Sequence, residues 1–568
     1  MLEQVKARPD EVDNHDAGPK ITPRSGGRIL ADALRLHGVD RVFCVPGESY
    51  LNVLDAFYDI PEIQLIVARH EGAAANMAEA DGKLTGRPGI CFVTRGPGAT
   101  LASVGVHTAF QDSAPMILFV GQVERGFRGR EAFHEIDFCR MFAPLSKWVA
   151  EVESPARIPE YVLHAFECAT SGRPGPVVLS LPEDVLAEIC SVADTARFCT
   201  FQAAPKLEEI EAFRSELAHS QRPLLILGGS GWSNEGCAAV KSFVETNGLP
   251  VVTSFRRQDL IDNEHPCYAG HLGLGLPAHL ANRIRAADLL IAVGTRLGDV
   301  STGGYTIPKP PRIPQRLIHI HAAPNELGRV YQANLPICAG PSQFAATLSS
   351  LIRISDPPWR CWTEDARQDF LKYTAIPTER PLKGVDLAAV VSHLAKRLPS
   401  DTTVSSGAGN YTVWVHQFFK YKQPRTELAP TSGAMGYAFP AAIAAKLRSP
   451  ERLSLCFAGD GCFLMYAQEL ATAVQYNAPV IVLVVNNRMY GTIRMHQEQR
   501  FPGRVSGTDL RNPDFIALAQ SFGAYAERIE STDVFPEALE RAIETRRPAL
   551  LELCVDRNQI TPERRLPS

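Results

Sequence analysis

Short apolar runs recur along the chain, each followed by turn residues and then by a stretch with apolar positions at helical spacing. Runs this short and this rich in Val, Ile and Leu suit strands buried on both faces. Their alternation with amphipathic helices predicts parallel sheets covered by helices on both sides. A first group comprises Val42–Val45, Leu65–Val67, Ile90–Val93, Met116–Val120 and Pro176–Leu179, preceded by a helix carrying Ile29, Leu30, Leu34 and Leu36 on its apolar face. A second comprises Leu224–Leu227, Val251–Thr253, Leu289–Val293 and Leu317–Ile320, and a third Leu453–Phe457, Val480–Val485 and Leu550–Val555. The expected fold class is therefore α/β, with three doubly wound parallel-sheet domains at residues 24–195, 205–355 and 380–560. A Pro-containing linker near Ala203–Leu207 and a Pro-rich stretch at Asp356–Trp359 separate the blocks, and the third opens near Leu382. Residues 1–23, polar and aperiodic, are expected to form a disordered tail.

Composition changes this picture little. At about 150 residues per domain, 568 residues allow three or four domains. The 58 basic and 62 acidic residues give a net charge of −4, with no basic excess that would suggest nucleic acid as a partner. Runs such as Val480–Val485 fall far below the roughly 20 apolar residues of a membrane span, so no membrane partner is expected. The polar N-terminus resembles neither a signal nor a transit peptide. Thirteen scattered cysteines, an odd number without a C-x-x-C pair, suggest reduced thiols and a cytoplasmic location.

The chemistry concentrates in one βαβ unit. The run Leu453–Phe457 leads into Gly459-Asp460-Gly461, a helix-like stretch follows with Tyr466, Leu470 and Val474 on one face, and Val480–Val485 returns as a strand into Asn486-Asn487. Polar groups thus stand at the C-terminal ends of two strands, where open α/β sheets bind ligands. Asp460 offers a hard carboxylate and Asn487 an amide oxygen, a set that suits Mg²⁺ when phosphate oxygens complete its shell. A helix starting after Gly461 would turn free N–H groups toward the phosphate. By itself, Gly-Asp-Gly also fits a tight strand-to-helix turn.

The paired elements resemble the signature of the thiamine diphosphate (ThDP) enzyme superfamily that includes acetolactate synthase, pyruvate oxidase and pyruvate decarboxylase, and the resemblance runs from about residue 24 onward. It implies a pyrimidine-binding first domain, a central nucleotide-fold-like domain and a diphosphate-binding third domain. It also implies that Asp460, Asn487 and the backbone oxygen of Met489 hold the divalent ion, and that the N–H groups of Gly461 and Cys462 contact the diphosphate. Arg69-His70-Glu71 is similar to the superfamily element whose Glu serves the aminopyrimidine ring as a proton relay, which makes Glu71 both cofactor-binding and catalytic. Ser432–Tyr437 resembles the segment under the bent cofactor, with Gly433 lining it and Met435 between its rings; Gly407–Tyr411 resembles a second diphosphate loop, placing Asn410 and Tyr411 nearby. Outside the resemblance, Glu71 reads as an ordinary helix-start Glu and Met435 as a core methionine. The superfamily places its cofactor between two subunits, which implies a homodimer at least, or a tetramer.

The substrate end departs from the acetolactate synthase pattern. Pro46-Gly47-Glu48 stands where those enzymes usually read P-G-G, so Glu48 is either an acid/base group or a helix-start carboxylate. Ala132-Phe133-His134-Glu135 resembles an A-F-Q-E loop with His134 in place of Gln, and Arg95 and His496 replace the usual Ser and Trp. Arg95 fits either a bidentate clasp for a substrate carboxylate or a partner for Glu48. Ser146-Lys147-Trp148 resembles the stretch that holds a basic residue near the substrate path. Gly228–Gly231 and Val293–Arg296 look like nucleotide-fold turns, but Gly273-Leu274-Gly275 departs from flavin-binding relatives, so FAD is open and not favoured. The resemblance points to a ThDP- and Mg²⁺-dependent enzyme that decarboxylates a small 2-oxo acid and passes the carbanion to a carbonyl, like acetolactate synthase. A non-oxidative decarboxylase or C–C lyase is the alternative, and a silent nucleotide-binding regulatory protein is the alternative of a different class.

Overall fold

The computed structural model describes residues 22–567 apart from 350, 352, 379, 380 and 382. The expected tail lies almost wholly outside these residues, as does the expected opening of the third block at Leu382.

Three six-stranded sheets organise the chain, and every strand pair within them is parallel. The first contains, in chain order, Arg41–Cys44, Gln64–Val67, Gly89–Val93, Met116–Gln122, Trp148–Glu151 and Pro176–Pro182. The third contains Thr403–Ser406, Glu427–Leu428, Ser454–Gly459, Val480–Asn486, Tyr525–Ile529 and Ala549–Cys554. Counted along the chain, both run 2-1-3-4-6-5 across the sheet. The central sheet, from Pro223–Leu227 to Leu335–Cys338, runs 3-2-1-4-5-6, the order of dinucleotide-binding folds. All three are doubly wound, so each has a crevice at the C-terminal ends of its strands where the order reverses.

The central unit continues past the Pro-rich stretch at Asp356–Trp359. Trp359 is fully buried and donates its indole N–H to Asn247 O at 3.0 Å, and helix Arg360–Tyr373 packs Phe370 into the same core.

The first and third sheets share one hydrophobic cluster. Helix Glu71–Thr85 meets helix Ala438–Arg448 across it, and both present alanines, which let backbones approach closely. Polar contacts fix the register. Arg448 donates from Nε to Asp81 and from Nη1 to Asp40, each at 2.7 Å, and the buried Tyr437 hydroxyl donates to Glu79 at 2.6 Å.

One local expectation is corrected. The stretch after Gly461 is not a single helix but helix Asp460–Phe463, a 3-10 turn Ala467–Glu469 and helix Leu470–Gln475. Tertiary packing holds the break at Tyr466. Its ring lies so close to Gly436 that a Cβ there would sit 2.6 Å from Tyr466 Cδ2.

Among the described residues no helix is long and apolar enough to cross a membrane, and the thirteen cysteines are free.

Candidate active site

The third sheet's crevice lies between its first and third strands, Thr403–Ser406 and Ser454–Gly459. Strands Ser454–Gly459 and Val480–Asn486 pair in register, with Gly459 opposite Val485, so the chain turns out of the sheet at Asp460 and Asn487 side by side. Asp460 is almost fully buried. Its Oδ1 accepts the Gly461 N–H at 3.0 Å, and its Oδ2 accepts from Asn512 at 2.7 Å. Burial pushes this carboxyl above its ordinary pKa, and the Asn512 and Gly461 donors pull it back. Asn487 Oδ1 accepts the Met489 N–H at 3.1 Å, with Arg488 between them at a left-handed φ of 56°. Gly461 is needed for close approach, because a Cβ there would lie 2.7 Å from the Tyr490 ring.

A cavity of about 290 Å³ opens over these residues. Asp460, Gly461, Cys462, Asn487 and Met489 line it from the motif, Asn410 and Tyr411 from the loop after Thr403–Ser406, and Gly433 and Met435 from a third segment. Asn410 is held by the Thr492 hydroxyl, which donates to its Oδ1 at 2.9 Å. Cys462 Sγ accepts the Gly436 N–H at 3.1 Å, and the buried Tyr411 hydroxyl has no hydrogen-bond partner. Met435 is half-buried against the neighbouring core.

This wall fits a divalent ion carrying a diphosphate. Among the described residues no group of three or more His, Cys, Asp or Glu side chains is placed to hold a metal. A cation here would depend on one carboxylate plus amide and carbonyl oxygens, the set Mg²⁺ accepts when phosphate completes its shell. The oxygens of Asn487 and Met489 each accept one hydrogen bond, from Met489 N–H and Gly491 N–H, and keep a second lone pair.

Glu71 is not part of this wall. It lies half-buried at the crevice of the first sheet, at the start of helix Glu71–Thr85, where His70 Nδ1 caps the Gly72 N–H at 3.0 Å. Its carboxylate faces Gly98, where a Cβ would come within 3.6 Å of Glu71 Oε1. Within one chain, therefore, the two predicted contact sets occupy equivalent crevices of two sheets and do not meet.

Glu48 and Arg95 stand at the same crevice as Glu71. Arg95 is buried; it donates from Nη1 to Glu48 Oε1 at 3.3 Å and from Nη2 to Glu183 Oε2. The side chain of Glu48 is 64% exposed, in the first turn after Gly47. Arg95 thus pairs with two carboxylates of the protein itself, one of them the Glu48 partner that the sequence suggested. His134 has φ 67° and stacks on Phe133 with ring centroids 3.6 Å apart, and its carbonyl accepts the Gly96 N–H at 3.0 Å. His496 is exposed on helix Gly491–Arg500.

Lys147 lies apart from the Glu71 crevice within the chain. It precedes strand Trp148–Glu151, so it lies at the N-terminal edge of the first sheet, opposite the crevice, and donates to Ser171 O at 2.8 Å and to Cys168 O.

Three residues that carry no motif signal support the site. Asn512 grips Asp460. Arg256 reaches from the central domain and donates to Gly407 O at 2.7 Å and to Pro430 O, holding the loop before Asn410. Glu469 accepts the Arg69 N–H next to His70-Glu71. In the central crevice, Gly229 and Gly294 pack so closely that a Cβ on Gly229 would fall 1.9 Å from Gly294 O.

Models of the thiamine pyrophosphate enzymes match the N-terminal TPP binding domain at residues 24–141, the central domain at 210–348 and the C-terminal TPP binding domain at 407–553. A probable acetolactate synthase large subunit of Methanocaldococcus jannaschii is 33% identical over 94% of this chain and 93% of its own. The acetolactate synthase large subunit of Corynebacterium glutamicum is 32% identical over 94% and 87%, and the isozyme 2 large subunit of Escherichia coli 30% over 94% and 96%. With a binding domain at each end, a central domain between them and relatives matched over nearly their full length, this chain belongs to the thiamine pyrophosphate-dependent enzymes.

Proposed function

We propose that the protein decarboxylates a small 2-oxo acid and joins the remaining fragment to a carbonyl acceptor, with thiamine diphosphate and Mg²⁺ bound between two copies of the chain. The observation that carries this reading is the single cavity onto which Asn410, Tyr411, Gly433, Met435, Asp460, Gly461, Cys462, Asn487 and Met489 converge. The names of the acetolactate synthase relatives support the carboligase chemistry.

When bound, the cofactor supplies a carbon nucleophile and an electron sink for the departing CO₂. The chain's own groups do the rest. Asp460, the Asn487 amide and the Met489 carbonyl would hold Mg²⁺, and the Gly461 and Cys462 N–H groups would meet the diphosphate. Met435, half-buried on the cavity wall, would give the bound cofactor an apolar support. Glu71 of a second copy would reach the aminopyrimidine and exchange a proton at its ring nitrogen. The matching strand order of the first and third sheets supports that pairing, because it presents Glu71 and Asp460 at equivalent crevices.

One observation favours a second reading. Glu48 presents a carboxylate, held by Arg95, at the crevice that contains Glu71. A carboxyl there can donate a proton, as a non-oxidative decarboxylase or C–C lyase requires. The packing of Gly229 on Gly294 accounts for those glycines by backbone approach alone, so flavin has no part in the proposal.

The test is a panel of 2-oxo acids with CO₂ release and products followed together. Condensed products in step with CO₂ support the carboligase, free aldehyde with CO₂ supports the decarboxylase, and no CO₂ from any 2-oxo acid overturns both of these and leaves only the C–C lyase.

A further inference from the structure

Asn512 belongs to no motif, yet it joins two strand ends beneath the cavity. Its amide nitrogen donates to Asp460 Oδ2 at 2.7 Å and to Asn486 Oδ1 at 3.0 Å. Asn486, the last residue of strand Val480–Asn486, donates in turn to Glu552 Oε1 at 2.7 Å, and Glu552 Oε2 accepts from Arg528 Nε at 2.8 Å. Asn486 and Glu552 are both buried, so the bond between them, at the centre of this row, is shielded from competing water.

The backbone before Asn512 is anchored to the same loop. Leu510 N–H donates to Arg488 O and Tyr490 N–H to Thr508 O, each at 2.9 Å. The segment therefore lies as a strap across Arg488–Tyr490, beside Asn487 and Met489. Asn512 is placed by one half of the predicted ion site and grips the other half.

The two amide hydrogens of Asn512 are both committed, one to each strand end. With Gly461 N–H on Oδ1 and Asn512 on Oδ2, the Asp460 carboxylate has a donor on each oxygen and cannot rotate freely. Partners of this kind set the orientation and affinity of metal ligands. We infer that Asn512 is a positioning residue: it fixes the rotation of the Asp460 carboxylate and its spacing from Asn487, and so sets the affinity of the cavity for Mg²⁺ and the diphosphate bound with it. The inference rests on the cofactor reading above.

Trp414 lines the cavity, so tryptophan fluorescence can follow thiamine diphosphate binding to the full-length protein as Mg²⁺ is titrated. Asn512→Ala should raise the Mg²⁺ concentration for half-saturation by about ten- to a hundredfold. Asn512→Asp, nearly the same size, should raise it at least as far, because it turns an acceptor toward Asp460. Excess Mg²⁺ should restore wild-type thiamine diphosphate affinity to Asn512→Ala, which a general loss of structure would not allow, and apo Tm should change little. If Asn512→Ala fails to fold, the Asp variant decides. Mg²⁺ titrations that superimpose on wild type would overturn the inference. Wild-type fluorescence that ignores thiamine diphosphate at every Mg²⁺ concentration would overturn the cofactor reading, and the inference with it.

Discussion

The carboxylate of Glu469 accepts the backbone N–H of Arg69 at 3.0 Å, although 400 residues separate them along the chain. The bond ties the third domain to the turn that carries His70 and Glu71. Burial drives the Glu469 carboxyl up to about 7, with the Thr472 hydroxyl and Arg69 N–H opposing it.

The folded protein thus holds this proton more tightly than the unfolded chain, whose carboxyl titrates near 4.5. The unfolded state loses its proton first, so this group's contribution to stability falls as pH rises from about 4.5 to about 7 and then levels off. Glu469→Gln keeps an acceptor for Arg69 and removes the titration. Urea unfolding across that range should show a shallower decline for the variant, by on the order of 3 kcal/mol at most. Identical slopes would refute the assignment.

Glu48 is exposed enough that Glu48→Gln should fold normally, so its effect reads on chemistry. If Glu48 donates a proton at the crevice, the variant should lose free aldehyde relative to condensed product by roughly tenfold or more. Its thiamine diphosphate affinity should not change. An unaltered product ratio would leave Glu48 as a partner for Arg95 alone.

The central domain has the strand order of a dinucleotide fold, yet its crevice glycines pack on each other. Purified protein should show no flavin absorption in the visible range. A flavin band released on denaturation would contradict this account of Gly229 and Gly294.

What the sequence displayed follows burial. Val480–Val485 reads as a strand because it is covered on both faces, and Val480–Asn486 is one. The strands without a sequence signal are mostly sheet edges: Trp148–Glu151, Tyr268–His271, Leu335–Cys338, Glu427–Leu428 and Tyr525–Ile529. An edge strand needs less apolar covering, so its pattern is weaker. Thr403–Ser406 is interior but polar, and the buried Ser405 hydroxyl is satisfied by donating to Ala438 O at 2.8 Å. At the site, Asp460 and Asn487 were legible because each ends an apolar strand. Asn512, Arg256 and Glu469 were not, because each acts through hydrogen bonds to residues distant in sequence, which leave no period or spacing in the chain.

The central claim is that Glu71 of one copy completes the Asp460 cavity of another. The most direct measurement is CO₂ release from a 2-oxo acid by protein co-expressed as Glu71→Gln and Asp460→Ala subunits. Each variant alone should be nearly inactive, Asp460→Ala through loss of Mg²⁺-dependent cofactor binding and Glu71→Gln with cofactor still bound. In a two-fold dimer, a mixed pair has one intact site, so random pairing should restore about a quarter of wild-type activity. A mixture as inactive as its parents, with mixed dimers shown to be present, would contradict the shared site.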